Sequence, residues 1–113
     1  MTFDVSSEQF KHCDLVKASG RIDSQTAPQL GETFSAITDA GRFNIVFDMS
    51  DVQFISSAGL RVLINTQKTC QRLNRGEVVL AVVPERIHEV LDIAGFLPLF
   101  KIFDDVVSAV GNF

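Results

Sequence analysis

Residues 44–63, NIVFDMSDVQFISSAGLRVL, change periodicity halfway along, and that change decides the class of fold. With Phe43 in front, the first part is an apolar run of strand character over Phe43–Phe47. Asp48-Met49-Ser50-Asp51 reads as a polar turn. From Ser57 onward the spacing is helical. Leu60, Leu63, Ile64, Gln67 and Cys70 share one face of a helix over about residues 57–73, with Leu73 extending it and Gln67 as its polar interruption.

Upstream, Phe3–Ser6 and Cys13–Ser19 read as two short strands joined by a polar hairpin connection. Gly20-Arg21-Ile22-Asp23 then leads into a helix whose inner face is Ala27, Leu30, Phe34 and Ile37. Asp23, Ser24 and Thr26 are all capable N-caps, Thr26 and Gln29 have capping-box spacing, and Pro28 suits a first turn. Gly41 ends this helix.

Downstream, Glu77–Val83 is a near-continuous apolar strand of the kind covered on both faces. Pro84 opens a helix with Ile87, Val90, Leu91 and Ala94 inward and Gly95 at its end. Leu99–Phe103 is a short strand, and Asp104 or Asp105 caps a last helix with Val106, Val107 and Val110 inward. The order β-β-α-β-α-β-α-β-α predicts an α/β fold: a single mixed, mostly parallel sheet with helices packed on it and an antiparallel edge from the first hairpin. Residues 1–113 are expected to form one domain.

Composition narrows the function. The 113 residues are 46% apolar, with ten Phe and neither Trp nor Tyr, enough for one core without metal or disulfide support. The formal net charge of −4 disfavours binding to nucleic acid or anionic membrane. Cys13 and Cys70 belong to no CxxC or metal-ligand spacing and read as reduced, packed thiols. Met1-Thr2-Phe3-Asp4 lacks the character of a signal peptide, and the longest apolar run, Val78–Val83, is far too short for a membrane span. A cytoplasmic location without membrane insertion is expected.

Catalytic signatures are missing. There is no GxxxxGK[ST], GxGxxG or GxSxG, and His12 and His88 read as solvated surface residues. Asp23, Asp48 and Asp51 fall near strand ends, where turn and cap hydrogen bonding accounts for them. A phosphate-receiver domain would need a Lys after the strand ending at Val83, and Pro84 stands there. No metal, cofactor or catalytic residue is assigned.

The 44–63 stretch resembles the central motif of the STAS family, which includes bacterial anti-sigma-factor antagonists. The family pattern is a strand, an Asp-x-Ser-x-Val turn, an aromatic, then Asp-Ser-Ser/Ala-Gly-Leu opening a helix. Gly20-Arg21-Ile22-Asp23 with Thr26-Ala27 is similar to the family's second landmark, and the element order agrees along the whole chain. The resemblance implies an antagonist that binds an anti-sigma factor, itself a serine kinase, and so releases a sigma factor. The kinase phosphorylates one Ser at the start of the central helix, and a PP2C-type phosphatase resets it. Aligned on Gly59-Leu60, the acceptor is Ser57, with Ser56 the second choice; the partner-binding set is Asp23, Ser24, Thr26, Ser56, Ser57, Ala58, Gly59 and Arg61. Here Ser56 stands where the family usually has Asp, and Ala58 where some members have a second Ser.

A Ser at this position would ordinarily be only a helix N-cap, worth about 1 kcal/mol. A phosphate there would be tolerated by the helix start, yet would set a dianion in a docking face. Arg61, Asn65, Lys68 and Arg72 form an outer stripe beginning beside Ser57, by default a solvated face and alternatively a contact for an acidic partner. Two other readings compete: a constitutive STAS scaffold without phosphorylation, in a stressosome or beside a transporter, and an enzyme or ligand binder using Asp23, Asp48 and Ser57. The last lacks a base for Ser57.

Overall fold

The computed structural model describes residues 3–113, with the side chain of Leu73 outside the description. Met1 and Thr2, and the expectation that Leu73 extends the inner helix face, therefore lie outside the described residues. Strands β1 (Asp4–Gln9), β2 (Asp14–Ile22), β3 (Asn44–Ile55), β4 (Glu77–Ala81) and β5 (Ile102–Phe103) form one sheet in that order. β1 pairs antiparallel with β2, and every other pair is parallel. Four helices connect and follow them: α1 (Ala27–Asp39), α2 (Ser57–Gln71), α3 (Glu85–Ile93) and α4 (Val106–Gly111). The expected mixed, mostly parallel α/β fold is the one observed.

Alternation along the strands sends side chains to two cores. Leu30 and Phe34 of α1, Leu60 and Leu63 of α2, and Ile87 and Leu91 of α3 pack with Val16, Ile45, Phe47 and Leu80 of the sheet. Phe34 meets Phe47 edge-on, with ring centroids 5.3 Å apart. Cys13, Val46, Val79 and Ala81 point the other way and meet Ala109 of α4. Three helices thus cover one face and α4 the other, so β4 is apolar on both sides. The faces expected of α1 (Ala27, Leu30, Phe34, Ile37) are the buried ones.

Three local expectations are corrected. Asp48-Met49-Ser50-Asp51 is no turn: β3 runs through it for 12 residues. β2 advances from Lys17 to Ser19 while β3 advances from Asp48 to Asp51, and again from Gly20 to Arg21 against Val52 to Phe54. These two bulges bend β3 and turn Ser50 and Asp51 outward while keeping Met49 and Val52 buried. β2 likewise continues to Ile22, so Gly20-Arg21-Ile22 is strand rather than a lead into α1. Ala94 and Val107 face solvent, because α3 ends at Ile93 and α4 buries Ala109 instead.

Gln67 on α2 explains its own presence in an apolar face. Its side chain lies inside, where Nε2 donates to the Val78 and Leu99 carbonyls (3.0 and 2.8 Å) and Oε1 accepts from Val78 N–H (2.6 Å). Farther along, Leu80 N–H of β4 donates to Lys101 O and Val82 N–H, just past the strand, to Phe103 O, each at 2.9 Å. Gln67 therefore supplies the ladder partner that β5, only two residues long, begins too late to give.

Candidate functional site

The C-terminal ends of β2 and β3 bring the two sequence landmarks together. Ile22 and Ile55 are register partners, and Ser56 N–H donates to Ile22 O at 2.8 Å, extending the ladder by one bond. The next residues diverge into the Asp23–Thr26 loop on one side and α2 on the other. This rim, beyond the carboxyl ends of parallel strands, is the place where open α/β sheets present their sites.

The loop is held by its own polar groups. Asp23 Oδ1 accepts from the N–H of Gln25 (2.9 Å) and of Thr26 (3.1 Å). The Thr26 hydroxyl accepts from Asp23 N–H (2.9 Å) and donates to Arg21 O (2.7 Å). Thr26 is the N-cap of α1 by position, but its side chain turns back into the loop, so no capping box with Gln29 forms. The Gln25 N–H, followed by the Thr26 N–H and hydroxyl and the Arg21 charge, holds the Asp23 carboxyl below its usual range. Asp23 is thus a fixed anion. Ser24 is exposed beside it.

At the start of α2, Ser56 rather than Ser57 is the N-cap. Ser56 has extended backbone, its Oγ accepts from Gly59 N–H at 3.4 Å, and its carbonyl accepts from Leu60 N–H at 2.9 Å. Ser57 is the first helical residue, and its side chain is exposed. Ala58 is half-buried against the core. Gly59 is buried: a Cβ there would stand 2.6 Å from Ile22 Cγ2 and 2.7 Å from Ile55 Cγ1. Its role is to let the helix start close upon the paired strand ends, so Gly59 shapes the face without being available for contact. Arg61 is exposed one turn further on. The sequence-predicted residues therefore do meet at one rim, with Ser24, Ser57 and Arg61 outermost.

Asp48 and Asp51 do not join them. Asp48 is buried with Oδ1 accepting from Ser50 N–H (3.0 Å), and Asp51 pairs with Lys17 (3.3 Å). Among the described residues no three His, Cys, Asp or Glu side chains group so as to hold a metal ion. No described helix is long and apolar enough to cross a membrane.

One feature of the rim escaped the sequence reading. Arg21 and Phe54 are register partners, and the Arg21 guanidinium lies 4.2 Å above the ring centroid of Phe54, which is 37% exposed. Strand alternation carries the signal: Ile22 and Ile55 point into the helix-covered core, so their predecessors point away from it. Phe and Arg are both enriched in binding interfaces relative to the rest of the surface.

Comparison with known proteins places this arrangement. The sequence profile of the STAS domain matches residues 4–109. BtrV of Bordetella bronchiseptica, whose name assigns it provisionally to the anti-sigma factor antagonists, is 34% identical over 94 residues, 83% of this chain and 80% of its own. An anti-sigma factor antagonist from Mycobacterium paratuberculosis superposes with a TM-score of 0.84 at 23% identity, covering 98% of this chain and 93% of that one. The Bacillus cell fate determinant SpoIIAA in its phosphorylated form superposes with a TM-score of 0.76 at 15% identity, over 96% and 98% of the two chains. The match along nearly all of the sequence, and the rim built from both motif landmarks, make this chain a member of the STAS domain family.

Proposed function

We propose that the protein is an anti-sigma-factor antagonist: a cytoplasmic, non-enzymatic binding module that docks on an anti-sigma factor, frees the sigma factor, and is switched off by phosphorylation of Ser57. The docking face is the Asp23–Thr26 loop with the start of α2. The observation that carries this reading is the division of labour between two adjacent serines. Ser56 caps the helix, which leaves the exposed Ser57 hydroxyl without a hydrogen bond among the described residues.

The substitution of Ser56 for the family's usual Asp is mild in this light, since Ser and Asp are equivalent caps. In the transfer step the Ser57 oxygen bonds to the γ-phosphorus of ATP, ADP leaves, and the hydroxyl proton passes to a base of the kinase. A phosphate on the first helical residue lies where the helix dipole favours an anion, so the fold survives. Its charge, about −1.5 to −2, sits on the face the partner must desolvate. Setting that dianion against a like charge of the partner, or stripping its water on docking, costs several kcal/mol, or at least a hundredfold in affinity at about 1.4 kcal/mol per tenfold. A PP2C-type phosphatase then restores the docking form.

Incubation with the genomically linked kinase and ATP, followed by mass-spectrometric mapping, tests the assignment. Phosphate on Ser57, absent from Ser57→Ala, is expected. Phosphate on another residue, or none, overturns it and leaves the constitutive scaffold.

A further inference from the structure

A phosphate on Ser57 would not stand alone on the surface. Arg61 follows Ser57 by four residues on α2, and both side chains are exposed. Residues at that spacing are helix-surface neighbours, roughly 5–6 Å apart at Cβ. Helical side chains lean toward the N-terminus, so a long residue covers the turn that precedes its own Cα. The turn that Arg61 covers is the one bearing Ser57. An anion followed by a cation at this spacing is also the favourable order along a helix.

Arg61 is uncommitted. The ion pairs among the described residues are Lys17–Asp51, Arg42–Asp14 and Lys101–Glu77, and none involves it. The other cation at this rim, Arg21, is stacked on Phe54 and lends its charge to Asp23. On α2 itself the next outward residue is the neutral Asn65, and Lys68 stands a further turn away.

We propose that Arg61 is the internal clamp of phospho-Ser57: its guanidinium pairs with the phosphate oxygens and is thereby withdrawn from the docking face. This inference rests on the reading of Ser57 as the switch and states how the switch acts. Modification then changes the face twice, adding an anion and removing an exposed cation. The planar fork of Arg suits a phosphate, to which it donates two parallel N–H bonds.

The test uses the full chain with phosphoserine installed at position 57 during translation, so that no kinase is needed. Phosphorus NMR then follows the second ionisation of the phosphate against pH. A cation held beside the dianion lowers that pKa. Arg61→Ala should raise it by about half a unit, the size expected of a helical ion pair strengthened by charge-assisted bonds. Arg61→Lys should recover part of the difference, and Lys68→Ala should leave the value where it was. An unchanged pKa in Arg61→Ala, or an equal or larger rise in Arg21→Ala, overturns the clamp. Urea midpoints of the unphosphorylated variants check that the fold is unaltered. Failure of the kinase to modify Ser57 would count against the switch itself and leave this ionisation result standing, so the two claims fail separately.

Discussion

Replacing Gln67 by Leu removes three hydrogen bonds while nearly conserving volume and helix propensity. Two of the backbone groups it serves, the N–H and the carbonyl of Val78, belong to a residue with no exposed surface. The third, the Leu99 carbonyl, belongs to a residue 45% exposed and can turn to water. An orphaned buried donor or acceptor costs about 1–3 kcal/mol, so two of them, set against a small gain in apolar burial, come to roughly 2–4 kcal/mol. With a urea m-value of about 1.5 kcal/mol/M for a domain of this size, the unfolding midpoint should fall by roughly 1.3–2.7 M. Far-UV circular dichroism reads this directly. Hydrogen exchange adds position: the Val78 amide should lose protection beyond what the lowered global stability explains, while Leu80, bonded to Lys101 O, should not. Gln67→Glu keeps an acceptor for Val78 N–H but sets a carboxylate against two carbonyls. Its folded-state pKa should rise, so its deficit should shrink as pH falls toward about 4.3, the unfolded carboxyl value. A midpoint loss below about 0.5 M for Gln67→Leu, with Val78 still protected, would refute the argument that one side chain stands in for a missing strand.

Gly59→Ala should lower stability by about 1–2 kcal/mol in urea titrations, because overpacking against Ile22 and Ile55 outweighs the helix-propensity gain; a neutral result would show that the helix start is not pressed on the strand ends. Ser56→Ala should cost about 1 kcal/mol of cap energy, whereas Ser57→Ala should stay within about 0.5 kcal/mol of the parent. The reverse order would make Ser57 the cap and remove its freedom to serve as a switch. Burial pushes the Cys70 thiol up to about 11 and raises that of Cys13, so at pH 8 both should be protonated and slow toward aromatic disulfide reagents. Their reaction should quicken in Gln67→Leu as opening becomes more frequent; prompt modification of the folded parent would contradict the packing described.

Helical periodicity made the inner faces of α1 and α2 readable, since Leu30, Phe34, Leu60 and Leu63 recur at helical spacing and tertiary packing agrees with that pattern. Both landmarks of the rim were legible by their resemblance to the family's motifs, although the strand character of Gly20-Arg21-Ile22 was not. What stayed hidden depends on relations between strands. Ser50 and Asp51 look like a turn, and only the bulged pairing with β2 reveals strand backbone that sends them outward. Two adjacent serines are equally good caps, and the length of β3, set by its pairing up to Ile22–Ile55, puts Ser56 rather than Ser57 at the boundary. The burial of Gln67 needs the shortness of β5, which residues 99–103 do not disclose. The solvent-facing position of Ala94 follows from α3 ending one residue before it, and that of Val107 from α4 turning Ala109 toward the sheet instead.

The affinity of two forms for the cognate anti-sigma factor bears most directly on the regulatory reading. Isothermal titration should compare the unmodified chain with the chain carrying phosphoserine at position 57, both at one ionic strength. The modified form is predicted to bind at least a hundredfold more weakly while unfolding at a similar urea concentration. Affinities within about threefold of each other would contradict a switch seated at this helix start.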